Sequence, residues 1–393
     1  KTGGFLADQG VRMKKLFVLL SMFLLIGCAA QEPQEPSTET PTEPVVEEKE
    51  DSVVSFMAVG DNLIHAAIYM NAYAKYGAYE FDDIYSEIKY FVESKDVAYI
   101  NQETILGGTE LGLSHYPMFN SPHEIGEAVA NAGFDWIASC SNHSMDKFEA
   151  GIISDLNFWD QYPDIVTTGL NRSFEEQQTN KYIERNGVKF GVLGYTYGTN
   201  GIEIPGGKEY LVNLYSKERI KEDVERLKGT CDSILVSMHW GDEYSTTPNA
   251  EQQELAQYMA DLGVDVIIGE HPHVIQPMDW VEGKDGNRTL VIYSLGNFLS
   301  SQDEPFNMLG GCASFDIRKD GNTGEITVEN VKWYPVVNHI SNGDYTAGTR
   351  DYRVYLLKDY TDDLASQHRL GVTRQYFIDK TEEVMNDKFE IVY

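Results

Sequence analysis

The chain has 393 residues and sets 31 Lys and Arg against 62 Asp and Glu, a formal charge of −31 at pH 7. That balance excludes the clustered basic surface that neutralises nucleic-acid phosphates, and it excludes docking on anionic lipid by charge alone. With 42% hydrophobic and 24% charged residues the chain can bury a core, and its four cysteines are too few for a disulfide scaffold.

Met13-Lys14-Lys15 followed by the apolar run from Leu16 to Ile26 reads as a signal peptide ending at residue 27, because a membrane span needs about 20 apolar residues. Residues 1–12 lie upstream of that start and read as an over-extended gene start or an added remnant. Leu25-Ile26-Gly27-Cys28 resembles a bacterial lipobox, which implies cleavage before Cys28 and acylation of Cys28. The expected location is the extracellular face of the bacterial cell membrane, held there by a lipid anchor. Residues 28–52 are then the lipidated cysteine and a tether. Its residues 29–52 carry eight acids, one lysine and four prolines, a composition that repels itself and stays extended. Outside the reducing cytosol, Cys140, Cys231 and Cys312 remain, an odd number that leaves at least one free thiol.

From residue 53 the chain alternates strand and helix. Strands are predicted at 53–59, 97–100 and 134–138, separated by helices over 83–95 and 123–132. A helix over 147–161 leads to a strand at 188–195, a helix over 216–228 to a strand at 233–238, and a helix over 250–262 to strands at 264–268 and 289–294. Short apolar strands between helices mean βαβ units and a layered α/β sheet. Residues 313–318 and 326–337 alternate around Lys319-Asp320-Gly321-Asn322, which predicts an antiparallel hairpin closing the sheet. Residues 345–393 read as helical with loops.

The polar residues gather at strand ends. Asp61 follows the first strand, with His65 four residues on; Glu103 follows the second, and Asn142-His143 with Asp146 the third. His239 ends a later strand, and His271-Pro272-His273 follows the next. Exits of parallel strands face one edge, where ligands bind. Carboxylate, amide and imidazole converging there suit one or two divalent ions (Mn²⁺, Zn²⁺ or Fe²⁺), unlike the thiolates of a structural zinc site. Alternation in an extended His-Pro-His segment is expected to project both rings to one side. Each residue alone has a plain structural reading; the weight lies in their joint placement. His115 and His123 flank a loop beside the site, and His339 and His368 read as structural or exposed.

In chain order these stretches are Gly60-Asp61, Asn101-Gln102-Glu103, Asn142-His143-Ser144-Met145-Asp146, His239 to Tyr244, Gly269 to Pro277 and Tyr293 to Phe298. The series resembles the CapA family, associated with poly-γ-glutamate capsule synthesis and export, over about residues 53–300. That family in turn resembles the calcineurin-like metallophosphoesterases. The resemblance implies an α/β fold, a four-layer α/β/β/α sandwich at 53–310, with the hairpin and helical extension of 311–393 packed on the same domain. It implies that Asp61 and His273 hold a first metal, that Glu103 bridges two metals, and that Asn142, His239 and His271 complete the second. It makes His143 the acid that protonates a leaving group, oriented by Asp146. One departure stands out. The superfamily opens on Asp-x-His, whereas here Asn62-Leu63 follows Asp61, and His65, an additional ligand candidate, comes two positions late. A first site without that ligand is expected to bind weakly. The expected function is metal-dependent hydrolysis, of a phosphoester or of an amide bond in an anionic polymer, beside membrane polymer-synthesis proteins. The alternative is a non-enzymatic metal-containing accessory protein that escorts the polymer.

Overall fold

Residues 266–268 show how the sequence builds layers. In a strand buried on both faces, successive apolar side chains enter opposite cores. Val266 and Ile268 enter a core between two sheets, while Ile267 enters a second core under helices. Residues 290–292 repeat the pattern, with Leu290 and Ile292 on one side and Val291 on the other. The computed structural model describes residues 49–393; the signal segment, Cys28 and most of the acidic tether lie outside the described residues.

The strands in chain order are β1 (Ser52–Asn62), β2 (Val97–Asn101), β3 (Trp136–Ala138), β4 (Val166–Thr168), β5 (Lys181–Arg185), β6 (Val188–Thr196), β7 (Ser233–His239) and β8 (Val266–Glu270). They continue as β9 (Ile275–Glu282), β10 (Arg288–Leu295), β11 (Asn297–Leu299), β12 (Leu309–Lys319), β13 (Ile326–Ile340), β14 (Tyr352–Leu356) and β15 (Glu390–Ile391). One sheet runs β14-β13-β12-β1-β2-β3-β4, with β11 beside β1 and β15 beside β13; the other runs β5-β6-β7-β8-β10-β9. Strands β1 to β4 are parallel, as are β6, β7, β8 and β10. The two sheets pack face to face: the Phe56 ring meets Phe190 edge-on at 4.9 Å, and Tyr99 and Ser237 hydroxyls bond at 2.7 Å. Helices Lys217–Leu227 and Ala250–Asp261 cover the outer face of the second sheet through Ile220, Val224, Leu255 and Met259. Helices Glu124–Ala132 and Phe148–Trp159 cover the first. The result is a four-layer α/β/β/α sandwich.

The predicted hairpin is β12–β13, and β12 joins β1 antiparallel, so the chain after residue 310 extends the first sheet. Two expectations are corrected. The helix over 83–95 is two short turns, Asp82–Tyr85 and Lys89–Val92, because the Ser86 hydroxyl bonds back to the Asp83 carbonyl at 2.9 Å and competes with the helical ladder. A further helix, Ala66–Tyr76, ends at Gly77 in the left-handed region. The stretch 345–393 contributes β14 and β15 as well as helices. Cys140, Cys231 and Cys312 are all free thiols, and burial pushes Cys140 and Cys312 up to about 12.

Candidate metal centre

Five strand exits meet at one edge, three from the first sheet and two from the second. Asp61 is the penultimate residue of β1, Asn101 ends β2 with Glu103 just beyond, and Asn142-His143 follows β3. His239 ends β7, and His271-Pro272-His273 follows β8. Gly60 allows the approach: a Cβ there would stand 1.8 Å from the Gly296 carbonyl oxygen, which accepts the Asp61 N–H at 2.9 Å.

Three overlapping sets of ligand atoms result, in each of which the atoms lie within 4.8 Å of one another. They are Asp61, Glu103 and His273; Glu103, His239 and His271; and Glu243, His271 and His273. Glu103 links the first two sets. Its carboxylate is fully buried, neither oxygen has a hydrogen-bond partner, and Oε1 stands 3.7 Å from His273 Nε2 and 4.0 Å from His239 Nε2. Those gaps are too wide for hydrogen bonds and near the roughly 3.4 Å that separates ligands around an ion bound at 2.0–2.2 Å. His271 Nδ1 is likewise buried and unpartnered. Among the described residues no lysine or arginine pairs with Asp61, Glu103 or the neighbouring buried Glu270. Buried carboxylates need a compensating charge, and the donor set fits a divalent cation.

The supporting bonds are specific. Asp61 Oδ1 accepts from Asn101 Nδ2 at 2.8 Å, and Asp61 Oδ2 pairs with His273 Nδ1 at 2.9 Å. Asn142 Oδ1 lies 3.0 Å from His239 Nε2, and its amide donates to Asn200 Oδ1 at 3.2 Å. His143 Nδ1–H donates to Asp146 Oδ2 at 2.7 Å, and Phe119 packs edge-on against its ring at 4.7 Å. Burial and the neighbouring histidines push His239 well below its ordinary range and His271 down to about 3, so both are neutral, the form a metal requires. Burial also pulls His273 down, but the Glu103 charge and the bond to Asp61 outweigh it and lift His273 to about 9. Burial raises the Glu103 carboxyl well above its usual range, against the pull of His273.

Two expectations change here. The His271-Pro272-His273 turn is not extended: His271 has φ 99° and His273 φ 59°. The rings converge because both residues are held in the left-handed region, with centroids 5.9 Å apart. His65 belongs to none of the three sets; Ser301 N–H donates to its Nδ1 at 3.2 Å, and burial pushes it down to about 4. It stands in the wall, 5.3 Å from the Phe119 ring. His123 is turned to the Leu106 carbonyl at 3.0 Å, and His339 and His368 are buried together with rings 5.5 Å apart. Sequence reasoning passed over Glu243, Asn101 and Asn200. It also passed over Tyr197, whose ring lies 4.7 Å from His271, and Tyr244, 5.9 Å from His273. Glu243 and Tyr244 sit inside the His239–Tyr244 stretch, where the residue types alone gave the signal. Two surface depressions, of about 650 and 760 Å³, contain no residue of the three sets.

Fold and site together define a layered α/β protein with a buried carboxylate–imidazole centre at its strand ends. The family model for the bacterial capsule synthesis protein PGA_cap matches residues 55–302, and the chain belongs to that family. It is similar to the PGA biosynthesis protein CapA of Bacillus subtilis (strain 168), with 30% identity over 213 residues, 51% of this chain and 52% of the relative. It is similar also to the capsule biosynthesis protein CapA of Bacillus anthracis, with 30% identity over 207 residues, 51% of this chain and 49% of the relative. The chain spans about half the length of the curated relatives it matches. Among solved structures, it is similar to a phosphatase of Mycoplasma pneumoniae (TM-score 0.45, 18% identity, 73% of this chain and 95% of that one). It is similar to the calcineurin-like phosphoesterase YfkN of Bacillus subtilis (TM-score 0.43, 14% identity, 85% and 97%).

Proposed function

We propose that this chain is a lipid-anchored, metal-dependent hydrolase at the extracellular face of the membrane. In this reading it acts in the synthesis, export or processing of an anionic capsule polymer such as poly-γ-glutamate. The observation that carries the catalytic part is the Glu103 carboxylate, buried without a hydrogen-bond partner between His239 and His273. Asp61, Glu103 and His273 would hold one divalent ion, and Glu103, His239 and His271, with Asn142, a second. Such ions supply Lewis acidity and an activated water for displacement at a phosphorus or carbonyl centre. The chain's own residues supply the proton handling. Because His143 Nδ1–H is committed to Asp146, Nε2 is the nitrogen left for transfer to a leaving group. Asn101 ties Asp61 to the His239 side of the centre, its amide 3.3 Å from His239 Nδ1. The exposed rim, with Asp242 and Glu243, is acidic, so an anionic substrate would make contact through the ions.

The substitution His143→Ala tests this. Hydrolysis of a generic aryl phosphate by the Mn²⁺- or Zn²⁺-loaded protein is expected to fall about 10²–10⁴-fold in kcat, with bound metal unchanged by mass spectrometry. Bound metal without turnover across Mn²⁺, Zn²⁺, Fe²⁺ and Co²⁺ would instead support the escort reading. The leucine at position 63, where the superfamily places a histidine, favours that second reading.

A further inference from the structure

The third ligand set contains a residue from farther along the exit of β7. Glu243 comes from the loop after β7, and it is the one exposed member of the three sets. The loop is fixed against the His271-Pro272-His273 turn, since Tyr244 N–H donates to the Pro272 carbonyl at 2.7 Å. Tyr244 itself is held at φ 64°, a strained conformation for a bulky residue, and its hydroxyl accepts from Gln302 at 3.3 Å. Asn249 Nδ2 ties the preceding Asp242 at 3.0 Å. The backbone thus spends strain to bring a carboxylate toward two imidazoles, one with a buried, unpartnered Nδ1, in a pocket that already holds two acids. Glu243 and Glu103 repel one another across that pocket, and a bound cation would offset the repulsion. Leu63, two residues after Asp61, offers no ligand atom to the centre.

Resting on the metal-centre reading above, we propose that Glu243 is a metal ligand of this centre. It is delivered by the loop after β7 and supplies the coordination that Leu63 does not. As the solvent-reached ligand, it is also the one through which an ion enters and leaves.

The test uses the purified full chain as wild type, Glu243→Ala, Glu243→Gln and His271→Ala. The readouts are the count of bound Mn²⁺ or Zn²⁺, the affinity by competition with a fluorescent chelator, and the visible absorption of the Co²⁺-loaded protein. Both Glu243 variants are expected to lose one ion or at least fivefold in affinity, with an altered Co²⁺ spectrum and an unchanged Tm in EDTA. Unchanged count and less than a fivefold change in affinity in both Glu243 variants, with metal lost from His271→Ala, would overturn the proposal and leave the centre standing. A wild type that binds neither ion would overturn the centre itself.

Discussion

His271 and His273 occupy backbone conformations that a non-glycine residue adopts at a cost of about 1–3 kcal/mol each. Proline between them was legible in the sequence, and so was their partnership. Their left-handed conformation was not, because nothing in residue type distinguishes an extended His-Pro-His from a folded one. Asp146 is the better-read residue, since its spacing from His143 puts a carboxylate within one turn. The structure adds that Asp146 Oδ2 also accepts the Phe119 N–H, so the carboxylate is locked before it meets the imidazole. Asp146→Asn replaces one acceptor oxygen by an amide that can donate to Nδ1 and move the proton of His143 to Nε2. The expected result is a 10–100-fold lower kcat with unchanged metal content. The pH profile should also be displaced; an undisplaced profile would show that Asp146 serves folding alone.

Elements were legible where burial is simplest. β7, β8 and β10 are apolar runs buried on both faces, and their ends were placed within two residues. β9 was missed because it is an edge strand: Pro277 and Asp279 interrupt its pattern, and edges are where a sheet tolerates proline. The site was legible to the extent that it is made of strand exits. Glu243 escaped because its position depends on a loop folded back onto another loop 30 residues on, which no periodicity encodes. The close approach at Gly60 gives a test at this scale. Gly60→Ala would drive a methyl into the Gly296 carbonyl and part β1 from its neighbour. A loss of about 3 kcal/mol by urea denaturation is expected. Gly206→Ala, where a Cβ meets nothing within 4 Å, should be nearly neutral. Equal midpoints for the two variants would mean that the crossing is not constrained.

At the scale of the whole molecule, the pH dependence of stability follows from buried imidazoles. Burial pushes His339 down to about 4 from 6.5, partly through the neighbouring His368, and its Nδ1 bonds the Tyr360 hydroxyl at 2.7 Å. The folded pKa lies below the unfolded one, so this contribution is present above about 6.5 and is lost as pH falls toward 4. At pH 5 the loss is on the order of 2 kcal/mol. Urea midpoints at pH 7.5 and 5 should therefore differ more for wild type than for His339→Gln. Equal differences would place the acid sensitivity elsewhere.

The centre joins residues 212 positions apart, His273 to Asp61. Its ligands come from both sheets, so the complete set depends on long-range closure of the chain. An ion bound there would hold the two sheets together and so slow unfolding.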